Sequence, residues 1–134
     1  MKVLIYGTGA VGGYVGGRLA QCGNEVVLLA RPRVADAIRA RGLLIEESEP
    51  FALETVRDLR VFAGHSHALQ GFKPDLILFC MKAFDTAQAL SDLRAACPDP
   101  APILCLQNGV GNEEAIAEAF GLEAVIPGTI TTAT

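Results

Sequence analysis

The sequence has no block of basic residues, no long apolar run, no Cys-x-x-Cys pair, no internal repeat and no low-complexity tract. Each absence removes a class of function. A formal net charge of -4 without a basic cluster gives a nucleic-acid backbone nothing to bind. No stretch approaches the ~18 apolar residues of a membrane span. Met1-Lys2 leads straight into the short apolar run Val3-Leu4-Ile5-Tyr6, too brief for a secretory core, so the cytoplasm is the expected location. The four cysteines, Cys22, Cys80, Cys97 and Cys105, have neither zinc-site nor thioredoxin spacing. Cys80 and Cys105 lie inside apolar runs and read as small core residues. His65 and His67 flank Ser66 in a polar stretch with no nearby Cys or carboxylate set, so they read as surface residues and no metal site is expected. No Ser-His-Asp or paired-carboxylate arrangement is visible.

What is present is a chain of 134 residues, 51% hydrophobic and 19% charged, enough for one domain with a buried core. Short apolar runs alternate with helix-like segments. Residues 3–6 form a continuous apolar run ending at glycine, as a strand buried on both faces should. Val11, Val15, Leu19 and Cys22 make one apolar stripe on a helix over 10–22, stopped by Gly23-Asn24. Gly12, Gly13, Gly16 and Gly17 weaken that helix but permit close approach to a sheet. Strands are expected at 25–30, 43–45, 76–80, 103–106 and 124–126, with 128–134 as part of the last. Helices are expected at 84–96, at 113–120 with Asn112 as its cap, and after Arg31, where Pro32 fits a helix N-terminus and 35–41 holds good helix formers. Residues 51–63 read as one or two short strands. This order predicts a Rossmann-type, doubly wound α/β fold: a mostly parallel sheet with helices on both faces.

The turn Gly7-Thr8-Gly9-Ala10-Val11-Gly12 follows a strand and opens a helix, the context that the dinucleotide pattern requires. Gly7 makes the tight turn, Gly9 lets backbone approach phosphates, and Gly12 lets helix pack on strand. The free amides of the helix start then face a pyrophosphate. An NAD site usually carries an acid at the end of the second strand, and here that position is Arg31. Glu25 starts its strand and belongs to the opposite rim. A guanidinium suits a 2′-phosphate, with Arg33 in reach to help, so NADP is preferred to NAD. An S-adenosylmethionine site ranks lower because it too favours the acid.

Lys82 and Asn108 each follow a buried strand within two residues, which sets them on the same carboxyl rim. A lysine there can bond a ribose hydroxyl or steady a substrate carboxylate. An asparagine can hold a ribose, a carboxamide or a carbonyl. The plainer readings are a solvated loop lysine and an Asn-Gly turn. Asp75, at a strand start, reads as a turn residue on the far rim.

These residues resemble the ketopantoate reductase (2-dehydropantoate 2-reductase) family, within the wider group similar to 6-phosphogluconate dehydrogenase. The resemblance is carried by Gly7 to Gly12, Arg31, Met81-Lys82-Ala83, Gln107-Asn108-Gly109-Val110-Gly111 and the closing residues Gly128 to Thr134. It spans the whole chain. It implies a Rossmann domain over 1–134 followed by a helical C-terminal domain, and reduction of ketopantoate to pantoate by NADPH on the way to pantothenate and coenzyme A. The turn would bind pyrophosphate, Arg31 the 2′-phosphate, Lys82 the ribose region, Asn108 both nicotinamide side and substrate, and Thr134 the nicotinamide. The family's catalytic lysine and a substrate-binding glutamate belong to the C-terminal domain. The chain is therefore expected to be an N-terminal part, inactive alone, whose partners are a small 2-oxo acid and that second domain, with room for a homodimer. Two other readings stay open: a non-catalytic nucleotide-sensing module, and a related 2-oxo acid, opine or glycerol-phosphate dehydrogenase.

Overall fold

The structure, a computed structural model, describes residues 1–48, 51–63, 69–82, 85–107 and 111–130. Strand β1 (Lys2–Tyr6) leads through the glycine turn into helix α1 (Ala10–Gln21), then β2 (Glu25–Leu29) and α2 (Pro32–Arg41). A hairpin follows, β3 (Leu43–Ser48) and β4 (Phe51–Val56), then β5 (Arg60–Phe62) and β6 (Leu76–Phe79). Helix α3 (Thr86–Ala96), β7 (Ile103–Cys105), α4 (Asn112–Phe120), a 3-10 turn at Leu122–Ala124 and β8 (Val125–Pro127) complete the described elements.

The main sheet has the order β5-β2-β1-β6-β7-β8, and every pairing in it is parallel. Its strands alternate between two cores, because successive side chains leave opposite faces of a strand. Val3, Ile5, Val26, Leu28 and Leu78 pack with Ala35 and Ile38 of α2 and Val15 and Leu19 of α1. Leu4, Val27, Leu29, Ile77 and Phe79 pack on the other face with Leu90 and Leu93 of α3 and Ile116 of α4. Val3, Leu4 and Ile5 are each 0% exposed, and full burial stabilises such side chains by roughly 1.5–3 kcal/mol apiece. This is the Rossmann-type architecture that the apolar runs predicted.

The sequence reading and the structure part in several places. Strands β3 and β4 do not join the main sheet. They form a separate antiparallel pair, with Leu43 opposite Val56 and Ser48 opposite Phe51. Gly17 of α1 allows this pair to close on the helix: a Cβ there would stand 2.7 Å from Ile45 Cδ1, while one on Gly16 would stand 2.8 Å from Leu28 Cδ2 in the main sheet. Helix α2 does begin at Pro32, as its sequence suggests, since proline suits a first turn where no amide partner is needed. The last strand stops at Pro127; residues 128–130 carry no strand, and 131–134 lie outside the described residues. Asn112 is the first residue of α4 and not its cap, which is Gly111 at φ +90°. Among the described residues, no helix is long and apolar enough to cross a membrane. Nor do the described residues include a group of three His, Cys, Asp or Glu able to hold a metal; His65 and His67 lie outside them.

Candidate functional site

The carboxyl ends of β1, β2 and β6 open onto one cleft of about 500 Å³, a usual size for a small-molecule site. Glu25 and Asp75 are on the opposite rim, as expected: Glu25 pairs in register with Lys2, whose amide donates to Asp75 Oδ2 at 2.8 Å.

The glycine turn is fastened to the neighbouring strand by a single acceptor. The Leu29 carbonyl, last in β2, receives the Gly7 amide at 3.2 Å, the Thr8 amide at 3.0 Å and the Thr8 hydroxyl at 2.9 Å. Thr8 is 7% exposed, so its side chain holds the turn instead of reaching outward. Gly7 has φ +99°, and a Cβ on it would meet the Met81 backbone nitrogen. A Cβ on Gly12 would run into the Gly7 carbonyl oxygen. At Gly9 a Cβ would meet nothing within 4 Å, so this position faces open space. The first bond of the α1 ladder runs from the Gly13 amide to the Gly9 carbonyl, 2.8 Å. The amides of Ala10, Val11 and Gly12 precede that ladder and have no acceptor within it. The first turn of α1 holds no acid, so the positive end of its dipole is not neutralised by its own side chains.

Arg31 lies two residues past β2 and caps α2 with extended backbone. Its side chain is 72% exposed at the cleft mouth, where Nη2 donates to Asp85 Oδ2 at 3.1 Å. Pro32 and Val34 line the cleft but Arg33 does not, so the second arginine is not part of this wall. Lys82 lines the cleft on the β6 side, and its carbonyl accepts the Asp85 amide at 2.9 Å. Asn108 and Thr134 lie outside the described residues. The structure therefore brings together Gly7 to Gly9, Arg31 and Lys82, with Ala10, Val11 and Gly12 opening α1 beside them.

Several residues that sequence reasoning passed over also shape this edge. Tyr6, Asp85 and Asp92 line the cleft. The Tyr6 ring packs on Phe79, centroids 5.2 Å apart. Burial, and secondarily the charge of Asp92, pushes its phenol up to about 12, so it remains a neutral donor. Burial, with a smaller contribution from Cys105, likewise pushes the Cys80 thiol up to about 12, and burial raises Cys105. Neither thiol is a thiolate near neutrality; Cys105 is a buried core residue, whereas Cys80 is half-buried and lines the cleft. The apolar runs around Tyr6 carried no hint of its place at the cleft; only its position one residue before Gly7 could have given it.

A polar clamp ties the ends of β6 and β7 together. Gln107 Nε2 donates to Thr86 Oγ1 at 2.6 Å and to the Met81 carbonyl at 3.1 Å, and Thr86 Oγ1 donates to Asn112 Oδ1 at 3.3 Å. Thr86 and Asn112 are 4% and 5% exposed. The part-buried Gln107 bonds hold the Met81-Lys82 segment against the end of β7, and the buried Thr86–Asn112 bond backs them.

Residues 3–134 match the family model described as Ketopantoate reductase PanE/ApbA. A 2-dehydropantoate 2-reductase of Pyrococcus horikoshii is 40% identical over 121 residues, which cover 90% of this chain and 37% of that protein. The crystal structure of a PanE/ApbA family ketopantoate reductase from Ralstonia eutropha superposes with a TM-score of 0.81 at 40% identity, covering 96% of this chain and 40% of the other. A ternary structure of D-mandelate dehydrogenase with NADH and anilino(oxo)acetate gives a TM-score of 0.81 at 28% identity, over 96% of this chain and 40% of the other. The chain thus spans about two fifths of the length of the relatives it matches.

Proposed function

The chain belongs to the ketopantoate reductase family, and from that premise we propose that residues 1–134 are the NADP-binding Rossmann domain of an NADPH-dependent reductase. The reductase would convert 2-dehydropantoate to pantoate for pantothenate and coenzyme A synthesis in the cytoplasm. Its family's helical C-terminal domain would supply the catalytic lysine and the second wall of the active site. This domain alone would then be inactive.

The observation that carries the reading is a glycine cradle opening toward a cation. The open space at the Gly9 Cβ position and the amides of residues 10–12 fit a pyrophosphate. Arg31 stands just past the carboxyl end of β2, where the adenosine ribose of a dinucleotide comes to rest. Its fork of donors would take a 2′-phosphate. When bound, the cofactor supplies a hydride to the ketone carbon of the substrate. Lys82 would bond the nicotinamide ribose or steady the substrate carboxylate from the β6 lip. Asn108 would touch substrate and nicotinamide side, and Thr134 the nicotinamide. The Gln107 clamp keeps the Lys82 segment in place while this happens.

Titration of this chain with NADPH and NADH tests the cofactor. NADPH should bind more tightly, and Arg31→Ala should abolish the preference. Equal affinities in the unaltered chain would end the NADP reading. A second reading keeps the fold and changes the substrate to another 2-oxo acid with NADH, which the likeness to D-mandelate dehydrogenase favours. Activity of the full-length protein over a panel of 2-oxo acids separates the two.

A further inference from the structure

Arg31 is not a bare cation waiting for an anion. It sits on the β2–α2 lip, Asp85 sits across the mouth between β6 and α3, and the two are 54 residues apart in the chain. Both line the cleft. Asp85 also stands at the N-cap of α3, where an aspartate ordinarily accepts an amide two or three residues on. Its backbone there is helical, φ −90° and ψ −8°, which is not the extended geometry such a cap needs. Among the described residues its carboxylate makes no capping bond and bonds Arg31 instead.

We propose that Arg31 and Asp85 together read the 2′ position of the adenosine ribose, and that Asp85 widens the site to accept both phosphorylated and unphosphorylated nucleotides. This rests on Arg31 being the 2′-phosphate ligand, as proposed above. A carboxylate is an acceptor only. It can take a hydrogen bond from a 2′-hydroxyl, which a lone arginine reads poorly. Against a 2′-phosphate it does the reverse, holding the guanidinium that the phosphate needs and adding like-charge repulsion at the same point. The pair thus pulls selectivity toward the middle. The opposition is modest because both side chains are well exposed, at 72% and 39%.

The probes are 2′,5′-ADP and 5′-AMP, which differ only at the 2′ position and need no nicotinamide wall. In Asp85→Asn, removing the competitor should tighten 2′,5′-ADP by roughly two- to fivefold, the range of exposed ion pairs. Loss of the charged acceptor should weaken 5′-AMP by roughly two- to tenfold, as for one net hydrogen bond. The ratio of the two affinities should therefore rise by roughly four- to fiftyfold, the product of those ranges. A ratio is insensitive to partial loss of folded protein, and Asp85→Ala should move it the same way. An unchanged ratio, or one shifted toward 5′-AMP, overturns the proposal. Arg31→Ala is judged separately. If it leaves the ratio of the unaltered chain intact, the reading of Arg31 itself fails. If it lowers the ratio while Asp85→Asn leaves it unchanged, that reading stands and only the role of Asp85 is lost.

Discussion

Gly9→Ala separates binding from folding more cleanly than any other change in the turn. The backbone at Gly9 is extended, φ −102°, so an alanine adopts it without left-handed strain. The added methyl meets no heavy atom within 4 Å. Two small effects on stability oppose each other. Alanine reduces the freedom of the unfolded chain, a gain of about 0.4–1 kcal/mol. It is also a poorer N-cap than glycine, a loss of up to about 1 kcal/mol. The melting temperature should stay within about 4 °C of the parent for a chain of this size. The methyl nevertheless projects into the space that phosphate oxygens would fill. Overpacking of a close contact costs about 1–3 kcal/mol, so NADPH should bind roughly five- to 150-fold more weakly. Gly12→Ala is the opposite control, because its methyl strikes the Gly7 carbonyl and stands 3.1 Å from Ile5 Cγ2, so it should lower the melting temperature. Calorimetric titration beside a thermal melt reads both quantities. Parental NADPH affinity in Gly9→Ala would refute the placement of the phosphates. A fall of ten degrees or more, far outside the roughly 4 °C window above, would refute the claim that the position is open.

Thr8→Val removes the buried hydroxyl bond to the Leu29 carbonyl and keeps the shape, so a denaturant titration should show a loss of about 1 kcal/mol. Bonds from Arg18 hold the Glu47 and Glu54 carboxyls below the usual glutamate range, with help from Tyr14 and Gln21 respectively. Carboxyls lowered by folding stabilise the native state above their unfolded value, and the benefit drains away as pH falls through the folded values. Stability should therefore drop below about pH 4.5, and Arg18→Ala should flatten that drop in pH-dependent melts. With its thiol pushed up to about 12, Cys80 should resist iodoacetamide at pH 8 while exposed Cys22 is alkylated; fast labelling of Cys80 in a mass map would contradict the raised thiol.

Local pattern made the binding edge legible, and long-range pairing concealed the rest. Val3 to Tyr6 and the glycine spacing are contiguous signals, so β1, the turn and α1 could be read directly. Arg31 was found by its offset from β2 alone. The hairpin was not foreseen, because Leu44, Phe51 and Leu53 stay 54–69% exposed and blur the contrast between apolar and solvated positions. What holds it, Arg18 bonding Glu47 and Glu54, spans 29 and 36 residues. Asn112 has the chemistry of a cap, but Thr86, 26 residues earlier, claims its side-chain oxygen. Asp85 and its bond to Arg31 were invisible for the same reason.

Gly12, Gly13, Gly16 and Gly17 give α1 its fit between main sheet and hairpin, and they also set when it can exist. Four interior glycines cost a helix about 3–4 kcal/mol relative to alanine, more than twelve residues can recover on their own. The phosphate-facing amides are therefore a product of the assembled domain, not of a preformed segment. Protection of α1 against hydrogen exchange must follow the opening of the sheet beneath it. Any nucleotide held there draws directly on the free energy of folding and returns it as resistance to unfolding.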